Sequence, residues 1–226
     1  MQVAQRGTSF TGVSGSAYHL DRFRTGMGDT TARFTVTQAS SGLDGFPNSF
    51  KYDCTTAEAS LANGNARMFL HTRLEGQNLQ HFKKGTSEAK PFVVSFYVKS
   101  NKTGTYILEI KDQDNTRQIS KTYTINSANT WEQKSITFEG DTTGAFDNDN
   151  AESCRVVWHL IAGTSYNPSS GGTLNTSWAS TTNANTAVGN VNIGDSTDNT
   201  WEITGIQMEV GQNPTSFEHE PFERTY

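Results

Sequence analysis

Apolar and polar residues alternate along much of the chain. In PFVVSFYVKS (91–100), Phe92, Val94, Phe96 and Val98 share one face, and Val93, Ser95, Tyr97 and Lys99 share the other. A period of two is the mark of a β-strand. TYILEIKD (105–112) repeats it with Tyr106, Leu108 and Ile110. The Asp- and Asn-rich DQDN then turns the chain into RQISKTYTI (117–125), which predicts a β-hairpin over 105–125. TWEQKSITFEG (130–140) and CRVVWHLIAG (154–163) follow. The second is apolar on both faces, Val156, Trp158 and Leu160 against Val157 and Ile161, so it is expected at the centre of a sheet, with His159 on the face away from Trp158. ARFTVTQ (32–38), SFKYDC (49–54), ARMFLHTRL (66–74) and WEITGIQMEV (201–210) bring the predicted strands to nine.

The last strand changes parity. Trp201 and Ile203 are odd, whereas Ile206, Met208 and Val210 are even, and Gly205 lies at the switch. One inserted residue, a β-bulge at the glycine, would return all five side chains to the core side. Helical patterning is confined to TTAEASLAN (55–63) and EGQNLQHFKKG (75–85), the latter long enough for a turn or two between Gly76 and Gly85. About nine strands separated by turn signals predict an all-β, two-sheet antiparallel sandwich or jelly roll. Residues 1–213 read as one domain, followed by a tail, 214–226, that packs on it or leads to a further segment. A connection of about forty residues, 163–200, is far longer than an ordinary loop and is expected to be functional or mobile.

Composition agrees with the pattern. Of 226 residues only 33% are hydrophobic and 18% charged. Thr, Ser, Asn, Gln and Gly make up the balance, and threonine and aromatics suit a half-buried pleated surface. The net charge of -5 and the absence of a basic block argue against a nucleic-acid partner. No apolar run is long enough to cross a bilayer, and the N-terminus has no apolar h-region of a secretory signal. Cys54 and Cys154 read as two partly buried thiols; a single disulfide is the alternative.

Four stretches resemble a group of virion proteins of tailed phages of marine bacteria and cyanobacteria: EGQNLQHFKKGTSEAKPFVVSFYVKSNKTGTYILEI, ISKTYTINSANTWEQKSITFEGDTTGAFDNDN, TLNTSWAS and WEITGIQMEVGQNPTSFEHEPFERTY. The opening MQVAQRGTSFTG and YHLDRF are similar too, so the likeness covers essentially the whole chain. It implies a jelly roll similar to carbohydrate-binding modules and galactose-binding domains, within a tail fibre, receptor-binding protein or head fibre. It also implies assembly in the host cytoplasm into the virion, other virion proteins as partners, and a homo-oligomer, most simply a trimer. In the similar sequences the tail runs on into a segment rich in Cys, Arg and Tyr, so a further attachment segment is expected beyond Tyr226.

The candidate chemistry divides by class. Glu218, His219 and Glu220 alternate in direction along an extended backbone, so they do not converge on one metal ion. Asp147 and Asp149 have the spacing of the first positions of an oxygen cage, but Ala151 follows and the pattern fails. Carbohydrate-binding modules of similar fold often hold a structural calcium with an Asp in the last strand, where this chain has Thr204. No other cofactor is expected. Glycoside hydrolysis needs two carboxylates held close together. Glu109, Glu132, Glu139 and Glu152 are present, but nothing in the sequence pairs them. No GxSxG elbow or HExxH occurs, so the expectation is a non-enzymatic protein. A host surface glycan is the expected ligand. Sugar rings stack on aromatic platforms with polar groups around them. Tyr166 and Trp178 lie in the long loop beside Asn175, Asn183 and Asn185, although Trp178 could instead pin that loop to the sandwich. Phe146, Phe217 and Phe222 are the candidates for contacts with the sandwich or a neighbouring subunit. A capsid decoration or tail subunit that binds only virion proteins, and a glycan depolymerase, are the alternative functions.

Overall fold

The computed structural model describes residues 1–219. Glu220 and Phe222 lie outside the described residues. The strands are β1 Ser9–Val13, β2 Ala17–Tyr18, β3 Phe23–Gly28, β4 Arg33–Leu43, β5 Phe46–Thr56, β6 Arg67–Glu75, β7 Phe92–Ser100, β8 Gly104–Asp112, β9 Arg117–Ile125, β10 Glu132–Phe138, β11 Glu152–Ala162, β12 Ala179–Ser180 and β13 Thr200–Val210. Among the described residues they form two antiparallel sheets, six strands in the order β1-β4-β5-β13-β7-β10 and seven in the order β12-β9-β8-β11-β6-β3-β2. The chain is thus an all-β, two-sheet sandwich, and all nine patterned segments are strands within it.

The alternation sets what lies between the sheets. Phe92, Val94, Phe96 and Val98 of β7 meet Leu108 and Ile110 of β8 and Val156, Trp158 and Leu160 of β11 in one core cluster. Trp158 is fully buried and meets the Phe96 ring edge-on at 5.7 Å between centroids. Burying each such side chain stabilises the fold by about 1.5–3 kcal/mol. Cys54 and Cys154 are free and buried in the same cluster. Burial raises both thiol pKa values, so neither is a ready nucleophile.

Gly205 has φ +59°, and the pairing of β13 with β7 shifts register between Thr204 and Gln207. The bulge is therefore where the parity changes. A Cβ there would come within 2.7 Å of Phe46 Cε1, so both backbone angle and space require glycine. Trp201 and Ile203 are fully buried and Ile206 and Met208 pack on the core, but Val210, at the end of β13, is 40% exposed.

The structure departs from expectation in one helical segment and in four additional strands. Residues 55–63 do not form a helix. Glu58 N donates to Gly194 O at 2.7 Å, and its carboxylate accepts from Thr30 Oγ1 and Thr31 N, so local polar groups are spent on tertiary partners. The segment 76–82, by contrast, does form a 3-10 helix, Gly76–Phe82. Strands β1, β2, β3 and β12 lie outside the nine patterned segments, and β3 lacks the pattern because two of its outward positions are Gly26 and Gly28. The Phe69 ring from β6 fills the space of the absent Gly26 side chain, where a Cβ would lie 2.2 Å from it.

Candidate functional site

The outward-facing residues of the seven-stranded sheet form a second surface. Its floor combines Glu109 and Lys111 of β8 with Arg155, Val157 and His159 of β11, and with Arg67 and Phe69 of β6. The long connection 163–200 is built against this sheet rather than hanging free. Ile107 and Ala162 pack with Ala187, Tyr166 and Leu174 from it. Its backbone is tied down by Val191 N to Thr105 O, Ser120 N to Asn175 O and Ile107 N to Asn190 Oδ1, at 2.9, 2.7 and 3.0 Å. The result is a groove of about 210 Å³ whose loop wall carries Tyr166, Asn183 and Thr186.

The floor is polar and largely out of water. Glu109 is 2% and His159 5% exposed, and His159 Nε2 lies 2.9 Å from Glu109 Oε2. Glu109 Oε1 has no hydrogen-bond partner, an unmet acceptor that costs free energy while it stays unpaired. Across Val157 of β11, in the same cross-strand row, His71 of β6 is fully buried with neither ring nitrogen paired. Burial, and then the nearby Arg155, Arg73 and Arg24, push its pKa down to about 3. The loop wall is held by Arg67, whose Nη1 donates to Asp29 Oδ2 at 2.8 Å and reaches Tyr166 Oη at 3.5 Å.

A different polar cluster lies at the edge of the sandwich. Lys84 Nζ donates to Asp112 Oδ2 at 2.6 Å, to Thr143 O at 3.0 Å and to Gly144 O at 2.7 Å, and stands 3.1 Å from Asp141 Oδ2. Arg117 clamps Asp141 through Nε and Nη2. Burial opposes the Asp141 charge, but the donors from Arg117, Thr143 and Lys84 outweigh it and hold the carboxyl below its usual range. An ammonium here fills an oxygen cage of two carboxylates and two carbonyls, the place a bound cation would take.

These clusters sort the predicted site residues. Tyr166 and Asn183 come together in the groove. Asn175 does not line it, and its Oδ1 accepts from Asn185 Nδ2 at 3.2 Å. Trp178 lies at the other cluster, with Lys84 Nζ 5.2 Å from its ring and its Nε1 donating to Glu139 O at 2.8 Å. Phe146 is beside it, its ring also 5.2 Å from Lys84 Nζ. Asp149 Oδ1 caps Ala151 N, and Asp147 N donates to Asp114 Oδ2. Among the described residues no three His, Cys, Asp or Glu side chains are grouped to hold a metal ion. Thr204 is buried and donates to Asn48 O at 2.8 Å. Phe217 packs on Phe46 at 4.9 Å, with His219 at 5.3 Å from the same ring, on the outer face of the six-stranded sheet. Phe222 lies outside the described residues.

No protein-family model matches the chain, and no curated protein matches it. Among solved structures it is similar to the enzymatically active domain of tailspike protein 4 of bacteriophage CBA120, with 11% identity over 84% of this chain and a TM-score of 0.45. The chain spans 19% of that tailspike. It is also similar to the family 11 carbohydrate-binding module of a cellulosomal cellulase of Clostridium thermocellum, with 12% identity, 92% of this chain, 99% of that chain and a TM-score of 0.41. A third, a family 61 carbohydrate-binding module in complex with β-1,4-galactotriose, shows 10% identity over 84% of this chain and 90% of that one, with a TM-score of 0.41.

Of the floor residues, the sequence singles out Glu109 only as one of four unpaired carboxylates, and it does not single out Lys111, Arg155 or Arg67. The available signal was parity. They are the polar members of strands whose other face is apolar, and His159 was already placed on that face.

Proposed function

We propose that the protein is a non-enzymatic glycan-binding domain of a phage virion protein, carried in a tail fibre or head fibre and assembled as a homo-oligomer, most simply a trimer. The observation that carries the binding reading is the groove. It sets two aromatic rings, Phe69 and Tyr166, beside the buried Glu109–His159 pair, in which Glu109 Oε1 has no hydrogen-bond partner. Apolar ring faces next to a few fixed polar groups are what a sugar needs. Placement in a virion, the oligomer and the host surface as the source of the glycan rest on the sequence resemblance. Against hydrolysis, Glu109 is the one carboxylate lining the groove among the described residues, whereas glycoside hydrolysis uses two.

A second reading, a decoration or tail subunit binding other virion proteins, is favoured by the Phe46–Phe217–His219 patch and the exposed Val210. A glycan array with the wild type and Tyr166→Ala separates the two. Binding that Tyr166→Ala weakens about tenfold is expected of the first, and no binding to any glycan would count for the second. Release of reducing ends from a bound polysaccharide would overturn the non-enzymatic assignment.

A further inference from the structure

The groove floor carries a charge pattern that a neutral sugar does not explain. Arg155 on β11 stands directly opposite Lys111 on β8 and directly opposite Arg73 on β6. Three cations thus lie in one row across three neighbouring strands. Like charges in opposed cross-strand positions are destabilising. Compensation is partial: Glu152 takes Arg155 Nε at 2.6 Å and Arg73 Nε at 3.1 Å. Lys111 has no ion-pair partner among the described residues. The groove lining holds Arg67, Lys111 and Arg155 against one lining carboxylate, Glu109; Arg67 and Arg155 also reach Asp29 and Glu152 outside it, which leaves Lys111 as the cation without an ion pair among the described residues, in a chain whose net charge is -5. A costly local excess of positive charge in an acidic protein is the signature of a place where negative charge is supplied from outside.

We propose that the groove selects glycans bearing an acidic substituent, a carboxylate or a sulfate, which docks on Lys111 and Arg155 while the sugar ring lies against Phe69 and Tyr166. This rests on the glycan-binding reading and adds the class of sugar. Arg155 offers a planar fork suited to either acid, and Lys111 a mobile point charge. Glu109 Oε1, buried and unpaired in the same groove, is an acceptor for a hydroxyl beside the acidic group. One site therefore meets both faces of an acidic sugar, its charge and its hydroxyls.

The test is binding to matched polymers by affinity electrophoresis or calorimetry. A polyuronate is compared with its carboxyl-reduced neutral form, and a sulfated galactan with its desulfated form. One of the acidic polymers is expected to bind at least about tenfold more tightly than its neutral counterpart, the gain of about one charge-assisted contact. That margin shrinks as salt is added. Lys111→Gln with Arg155→Gln removes it, while thermal unfolding confirms that the variant is folded, since the change relieves like-charge repulsion. Equal affinity for acidic and neutral forms overturns this inference and leaves the glycan reading standing. Preference for acid that survives in the double variant also overturns it, because the charge is then read elsewhere. Failure of every polymer to bind overturns the glycan reading itself.

Discussion

Two of the buried polar clusters in this sandwich differ in one respect. Around Lys84 charges and donors are matched: the ammonium meets two carboxylates and two carbonyls, and Arg117 completes the second carboxylate. Around Glu109 and His71 they are not. One carboxylate oxygen and both nitrogens of a buried imidazole lack partners, and cations face each other across the sheet. A closed network rigidifies and asks for nothing more, whereas an open one carries a penalty that a ligand can relieve. The first cluster fastens the 139–153 loop to the β8–β9 hairpin, and the second is the candidate binding surface.

The sharpest way to break the contrast is Lys84→Met. Removing the ammonium leaves Asp112 and Asp141 buried without it, so stability should fall by about 3–5 kcal/mol in urea unfolding. Glycan affinity of the folded fraction should hold. A small stability loss would mean that the network is not closed.

A change of pH should act on the open cluster next. His71 is neutral in the fold, and its folded pKa of about 3 lies below the unfolded value of 6.5. The unfolded chain therefore binds the extra proton. The contribution is fully present above pH 6.5 and is lost as pH falls from there toward 3, at up to about 1.4 kcal/mol per pH unit. His71→Phe should flatten that part of the stability profile, measured by unfolding at several pH values.

Smaller effects separate the aromatics. Tyr166→Ala should raise the glycan Kd about tenfold, roughly 1.4 kcal/mol. Trp178→Ala, at the closed cluster, should change Kd less than about twofold and lower stability by about 1 kcal/mol through its lost hydrogen bond and its place over Lys84. A reversal of these two results would move the site to the other edge of the sandwich.

The difference between the clusters also explains what was legible in the sequence. Alternation exposed nine strands and the bulge at Gly205, because period and parity are local properties. It missed β1, β2, β12 and β3, the last because Gly26 and Gly28 leave only Arg24 as an outward side chain to alternate. It marked Tyr166 and Asn183 because large or amide side chains stand out in a long loop. It could not join Glu109 to His159, fifty residues apart, since their meeting depends on the register of β8 against β11. Trp178 stood out equally, yet the partners that hold it, Lys84 and Glu139, lie in segments far from it in sequence. Nor did the loop's length reveal that it would be hydrogen-bonded to β8 and β9.

Amide chemical-shift mapping during titration with an acidic oligosaccharide tests the central claim most directly. Perturbations gathered at Glu109, Lys111, Arg155, Val157 and His159, and on the loop at Tyr166 and Asn183, are the expected result. Shifts centred on Lys84 and Trp178, or on the outer face of the six-stranded sheet around Phe46, would contradict it.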